Sequence, residues 1–237
     1  MIEDGVLITG VGRRLGLHLA HTFLSRGLPV IGTFRTERAS LTELADAGAR
    51  LIYCDFYDEN QLSLLVGEIQ RQCASLRAVV HNASDWMPDD NELGEVETMR
   101  RMMAIHAVVP YRLNRALTPL LAASSVPHAD IIHVGDYVSG RGSRKHTAYA
   151  ASKAAQDNLT LSFAAGLGPR IKVNSVAPAL IQFNEGDGAA YREKALSKNL
   201  LRKEGGLDEF QQAVDYLMGS QYVTGRILHL DGGRHLV

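Results

Sequence analysis

Residues 6–16 read Val6-Leu7-Ile8-Thr9-Gly10-Val11-Gly12-Arg13-Arg14-Leu15-Gly16. A short β-type apolar run passes through a glycine-rich turn into a stretch whose apolar residues Leu15, Leu19, Phe23 and Leu24 recur at helical spacing. In that arrangement glycine lets the backbone approach a pyrophosphate closely, and the following helix offers free N–H groups and the positive end of its dipole. Gly10, Arg13, Arg14, Leu15 and Gly16 are therefore candidate cofactor contacts. The spacing is not the six-residue GxGxxG form, and glycines also cap turns that bind nothing. The position directly after the first strand is what favours the phosphate reading.

Outward from this turn the chain keeps the same rhythm. Further β-type runs are expected at 30–34, 50–53, 78–81, 131–135, 172–176 and 226–230, with the first at 6–9. Between them lie helical patterns such as Leu62, Leu65, Val66 and Ile69. Strand-then-helix repetition predicts an α/β fold. The expected form is a single-domain, Rossmann-like, doubly wound parallel sheet with helices on both faces, covering residues 1–237. One segment, 182–207, breaks the rhythm after a strand end and contains Glu185-Gly186-Asp187-Gly188. Ligands of such sheets sit at the carboxyl ends of the strands, so 182–207 reads as a substrate loop or as a plain surface insertion.

The 237 residues carry 46% hydrophobic and 22% charged side chains and a formal net charge of -1. That balance argues against a nucleic-acid or membrane-surface partner. Cys54 and Cys73 form neither a CxxC motif nor a disulfide framework. No metal site is expected. The first residues lack the basic and apolar regions of a secretion signal, and a cytoplasmic location is the expectation.

The end of the second β run selects the cofactor. A dinucleotide fold that prefers NAD carries Asp or Glu there for the ribose hydroxyls. This chain reads Thr33-Phe34-Arg35-Thr36. Arg35 and Arg13 are expected to meet a 2′-phosphate, which predicts NADP(H); either arginine alone is equally a solvated surface charge. Further on, Tyr149-Ala150-Ala151-Ser152-Lys153 places a phenol and an ammonium on one helix face. A cation there is expected to lower the phenol pKa and make Tyr149 a proton donor or acceptor beside a hydride-transfer site.

With these residues in place the chain resembles the short-chain dehydrogenase/reductase family over nearly its whole length. The resemblance rests on Thr9-Gly10, Asp55, Asn82-Ala83, Tyr149 with Lys153, Val176-Ala177-Pro178 and Thr224-Gly225…Asp231-Gly232-Gly233. It implies cofactor contacts at Asp55 and Phe56 near adenine, at Asn82, Ala83 and Ser84, and at Thr36 and Pro178. It implies that Lys153 binds the nicotinamide ribose and supports Tyr149, and that the protein is a homotetramer.

The departures are Arg14 for a glycine, Ser84 for the glycine after Asn-Ala, and Asp136 thirteen residues before Tyr149 in place of a serine. These resemble the pteridine reductase branch, in which an aromatic two residues after Asn-Ala-Ser stacks on the pterin; Trp86 stands there. The resemblance implies reduction of a 7,8-dihydropterin by NADPH, with dihydrofolate as a poorer substrate. Asp136, Tyr149 and Lys153 are then the catalytic candidates, and Arg14, Trp86, Asp136 and Tyr149 the substrate contacts. Capping, solvation or rim packing are the bland roles for Asp136, Arg14 and Trp86. His106 replaces the family's asparagine and is expected either to hold a relay water or to pack the helix. Ala179 replaces the glycine that usually follows Pro178. A carbonyl reductase acting on 3-oxoacyl thioesters, and a non-catalytic NADP-sensing protein, are the alternatives on the same fold.

Overall fold

The structure is a computed structural model and describes residues 1–237. Seven strands form one all-parallel sheet: β1 (Gly5–Ile8), β2 (Val30–Phe34), β3 (Arg50–Tyr53), β4 (Leu76–His81), β5 (Ala129–Val134), β6 (Ile171–Pro178) and β7 (Ile227–Leu230). Their order is β3-β2-β1-β4-β5-β6-β7. The direction of winding reverses between β1 and β4, and a crevice opens at that switch point. β1, β4, β5 and β6 are buried along most or all of their length. Strands covered on both faces read as continuous apolar runs, and this is why the β pattern is visible in the sequence.

β4 and β5 each begin two residues before the runs expected at 78–81 and 131–135, and the reason is charge. Arg77, Asp130 and Lys172 lie near the amino ends of β4, β5 and β6. Arg77 and Asp130 look like loop residues, yet they meet inside the protein with Lys172, which already belongs to the run expected at 172–176. Asp130 pairs with Arg77 and with Lys172, whose Nζ lies 3.1 Å from Oδ1. Lys172 Nζ also donates to the Leu217 carbonyl at 2.7 Å, and Arg77 Nη2 to that of Met218 at 2.8 Å. Charge partners and hydrogen bonds together make such burial tolerable.

Eight α-helices cover the two faces: α1 (Arg14–Ser25), α2 (Ala39–Asp46), α3 (Glu59–Gln72), α4 (Glu95–Met103), α5 (Val109–Ala122), α6 (Thr147–Leu167), α7 (Ala189–Leu196) and α8 (Leu207–Gly219). One core cluster packs Leu62, Leu65 and Ile69 of α3 and Leu113 and Leu117 of α5 against one side of the sheet. The other packs Leu19 and Phe23 of α1 and Phe210, Val214 and Leu217 of α8 against the opposite side. A π-helical turn, Ala104–Val108, joins α4 to α5 and carries His106. Segment 182–207 is no open loop, since it contains α7. Phe183 is buried in it, with its ring edge-on to Tyr191.

Gly16 in α1 shows how tightly the crevice is built. A Cβ there would overlap the Gly10 carbonyl oxygen and stand 2.5 Å from Asn82 Nδ2. Neither is the free end of a flexible chain. Gly16→Ala is expected to cost about 3 kcal/mol, the upper range of overpacking, and to lower the midpoint of a urea titration without changing its slope.

Candidate active site

The crevice is a cavity of about 480 Å³ over the carboxyl ends of β1, β2, β4 and β5. Its floor is a knot of hydrogen bonds. Thr9 Oγ1 accepts from the backbone N–H groups of Asn82 (3.0 Å) and Ala83 (2.9 Å). Asn82 Nδ2 donates in return to the carbonyls of Thr9 (3.0 Å) and Gly10 (2.8 Å). Gly10 has φ +75°, and a Cβ on it would press on Ala83 Cα at 3.1 Å. Glycine is required there twice over.

Arg14, the first residue of α1, has φ +51°. A non-glycine residue in this region is strained, and such strain concentrates at functional sites. The conformation sends its guanidinium to the segment after β6: Nη1 donates to Asn184 Oδ1 at 2.5 Å and Nη2 to the Gln182 carbonyl at 2.7 Å.

The other half of the site is α6. His146 precedes that helix without capping it. Asp89, from the loop after β4, does so instead, accepting from the N–H groups of Thr147 (2.7 Å) and Ala148 (3.1 Å). One turn in, Tyr149 donates its hydroxyl to Asp136 Oδ2 at 2.8 Å. The second oxygen of Asp136 accepts from Val138 N at 2.9 Å. Asp136 therefore caps a 3₁₀ turn, Tyr137–Gly140, and binds the phenol at once.

Lys153 is buried and donates to the Val134 carbonyl at 2.8 Å and to Gln156 Oε1 at 3.4 Å. Its ammonium lies 5.8 Å from the centre of the Tyr149 ring. The spacing argument expects this cation to pull the phenol pKa down. The structure reverses that: burial and the neighbouring Asp136 hold Tyr149 well above its ordinary value. Burial raises Asp136, partly offset by the Val138 and Tyr149 hydrogen bonds. Burial also lowers Lys153 from 10.5 to about 8.

His106 has both ring nitrogens occupied. Nδ1 meets Ser152 Oγ at 2.8 Å and Nε2 meets Ser84 Oγ at 2.7 Å. Ser152 gives its own proton to the Tyr149 carbonyl. That leaves Nδ1–H as donor to Ser152 and Nε2 as acceptor from Ser84. Burial, then Lys153, keeps the ring neutral. His106 thus ties the pocket wall to α6, and neither nitrogen is free for a relay water, one of the two roles expected of it.

Most of the residues singled out in the sequence line this one cavity: Gly10, Arg13, Arg14, Leu15, Arg35, Thr36, Phe56, Asn82, Ala83, Ser84, Trp86, Asp136, Tyr149, Lys153 and Pro178. Gly16 lies just beneath it, against Gly10. Asp55 does not line it. Its Oδ1 accepts from Tyr57 N at 3.1 Å in its own turn, and Cys54 and Phe56 reach the cavity instead. Trp86 is 64% exposed and has one face stacked on His146, with ring centres 4.0 Å apart. Arg35 is held in a two-point ion pair by Asp85. Sequence reasoning did not single out Arg38 and Asp85, both of which line the cavity, or Asp89, which supports it. Arg38 had a signal, being a third cation beside Arg35; Asp85 and Asp89 acquire their roles only through tertiary contacts.

A short-chain dehydrogenase/reductase model described as Enoyl-(Acyl carrier protein) reductase matches residues 10–235. Dihydromonapterin reductase of Klebsiella pneumoniae is 48% identical over 231 residues, covering 98% of this chain and 96% of the relative. The enzyme of the same name from Escherichia coli K12 gives the same figures. Among solved structures, FolM alternative dihydrofolate reductase 1 from Brucella suis in complex with NADP superposes with a TM-score of 0.86 at 27% identity, covering 100% of this chain and 97% of that one. The chain belongs to the short-chain dehydrogenase/reductase family, and within it is similar to the dihydromonapterin reductases.

Proposed function

We propose that the protein is an NADPH-dependent reductase that converts a 7,8-dihydropterin of the dihydromonapterin type to the tetrahydropterin, with dihydrofolate as a weaker substrate. The relatives named dihydromonapterin reductase, at 48% identity over nearly the full chain, support it. So does the fold shared with an NADP complex of an alternative dihydrofolate reductase. The observation that carries the reading is the Tyr149–Asp136 hydrogen bond inside a cleft that also holds Trp86 and Arg14.

The cleft fits a dinucleotide phosphate. Side chains are excluded at Gly10 and Gly16 by close backbone contacts, and α1 opens at the turn with Arg13 and Arg14. Arg14 and the free N–H groups at the start of α1 would hold the pyrophosphate, and Lys153 would stand at the ribose half. What a bound nicotinamide supplies there is a hydride.

The chain's own part is the proton. Tyr149 stays protonated at neutral pH because burial and Asp136 raise it, so its Oη is a donor. Asp136 accepts from that hydroxyl at 2.8 Å and, after taking a proton from water, is within reach to return one to the same oxygen. A carboxylate in this place suits protonation of a ring nitrogen. A carbonyl substrate is better served by a neutral hydroxyl donor. The exposed face of Trp86 is the surface for a flat ring, and His146 backs the other face. Segment 182–207, pinned by Arg14, belongs to this reading as the substrate loop, and a cytoplasmic homotetramer as the assembly. No helix is long and apolar enough to cross a membrane.

The test is loss of NADPH absorbance with a panel of dihydropterins, dihydrofolate and a 3-oxoacyl thioester. Turnover is expected on the pterins and not on the thioester; the reverse result would overturn the reading. Tyr149→Phe is expected to lower kcat by roughly 10²- to 10⁴-fold, the usual size of a general-acid contribution, while calorimetry shows coenzyme binding retained.

Lys153 gives a second expectation, on stability. Its folded pKa of about 8 lies below the ordinary 10.5. The unfolded chain therefore binds more protons between these values, and the wild type gains stability as pH rises through that window. Below pH 8 the penalty is fully present. Lys153→Met removes this titration, so wild type relative to the variant should gain up to about 3 kcal/mol between pH 7 and 10.5. Denaturant titrations at the two pH values measure the difference.

A further inference from the structure

Four arginines stand at the cleft, Arg13, Arg14, Arg35 and Arg38, and they are not equivalent. Arg14 is occupied by Asn184 and the Gln182 carbonyl. Arg35, next after β2, meets Asp85 end-on, Nη1 to Oδ2 at 3.0 Å and Nη2 to Oδ1 at 3.3 Å. Tyr57, four residues beyond β3, donates its hydroxyl to the same Oδ2 at 2.8 Å. The guanidinium carbons of Arg35 and Arg101 lie 5.6 and 5.0 Å from the centre of the Tyr57 ring. The strand order is β3-β2-β1-β4. Asp85, which follows β4, therefore reaches past the end of β1 to residues that follow β2 and β3. The contact spans the nucleotide side of the groove.

Arg13 and Arg38 are different. They come from the facing turns β1–α1 and β2–α2, line the same cavity, and form no ion pair. The Arg38 side chain lies against Gly12, where a Cβ would come within 3.4 Å of its Cδ. Ser40 Oγ donates to the Gly12 carbonyl at 2.7 Å and holds the two turns together.

A phosphate dianion is drawn to cations that nothing else neutralises. A carboxylate-paired guanidinium has already given up most of its field, and the carboxylate itself repels the phosphate. We propose that Arg13 and Arg38 receive the 2′-phosphate of the coenzyme, while Asp85 withholds Arg35 from it and makes Arg35 and Tyr57 a clasp across the groove. This rests on the NADPH reading above. It replaces the expectation that Arg35 reads the phosphate, because Asp85 takes both terminal nitrogens of that guanidinium.

The test is calorimetric affinity for NADP⁺ and NAD⁺, with the melting temperature of each variant as a folding control. Wild type is expected to prefer NADP⁺. Arg38→Gln should narrow the NADP⁺/NAD⁺ ratio by about 10-fold or more, the loss of one charge-assisted contact. Arg35→Gln should weaken both coenzymes together and leave the ratio within roughly 3-fold, because a clasp does not distinguish them. Asp85→Asn frees Arg35 and should widen the ratio by about 3-fold or more. A ratio that collapses in Arg35→Gln and survives in Arg38→Gln would overturn the proposal alone. So would an unchanged ratio in Asp85→Asn. Equal wild-type affinity for the two coenzymes would overturn the NADPH reading and this proposal with it.

Discussion

The site depends on the join between β1 and β4. Thr9 and Asn82 exchange four hydrogen bonds at the strand ends. Without them the Gly10 turn and the Ser84–Trp86 loop would have no common frame. The join lies where successive crossovers leave to opposite sides of the sheet, so no helix covers the strand ends. The close packing of Gly16 under Gly10 and Asn82 is the cost of bringing a helix N-terminus to the same point. Everything the cleft presents is referred to this corner. The Gly10 turn extends from one side of it, and the loop that caps α6 through Asp89 from the other.

How much of this the sequence shows depends on whether a residue acts through its own element or through a distant one. The strands declare themselves because burial on both faces demands unbroken apolar runs. The early starts of β4 and β5 are hidden because Arg77 and Asp130 are charged residues whose partners lie on neighbouring strands. Tyr149 and Lys153 are legible together because four residues on one helix fix their relative placement. The hydrogen bond of Asp136 to Tyr149 is suggested only by family resemblance, and its consequence for the phenol pKa is set by burial, which spacing does not encode. Asp89 caps a helix that begins 58 residues later, at Thr147. Asp85 meets a residue that precedes it by 50. No local pattern distinguishes either from an ordinary loop aspartate.

Helix α6 also shows stability given up for a buried charge. A helix packed on a sheet would be more stable with an apolar residue at 153, since burial takes the ammonium down to about 8 even with Asp136 and Asp157 favouring its charge. The protein accepts the penalty and supports the charge with the Val134 carbonyl and Gln156. His106 is a second such case. It is a fully buried imidazole in a π-helical turn, kept neutral and satisfied at both nitrogens. Departures from regular helix and from an apolar interior gather around Tyr149, and such departures concentrate at functional sites.

Arg14 has a consequence of a different kind. Its two hydrogen bonds tie the turn between β1 and α1 to the segment after β6. An anion that takes those two donors does so in exchange for them. Occupancy of the turn and attachment of the segment are then two sides of one equilibrium. By thermodynamic linkage, whatever free energy the anion spends in loosening the segment is the same free energy by which a fastened segment weakens the anion. A single arginine in a left-handed backbone conformation thus makes the two ends of the cleft reciprocal, with neither ligand nor loop acting as the sole cause.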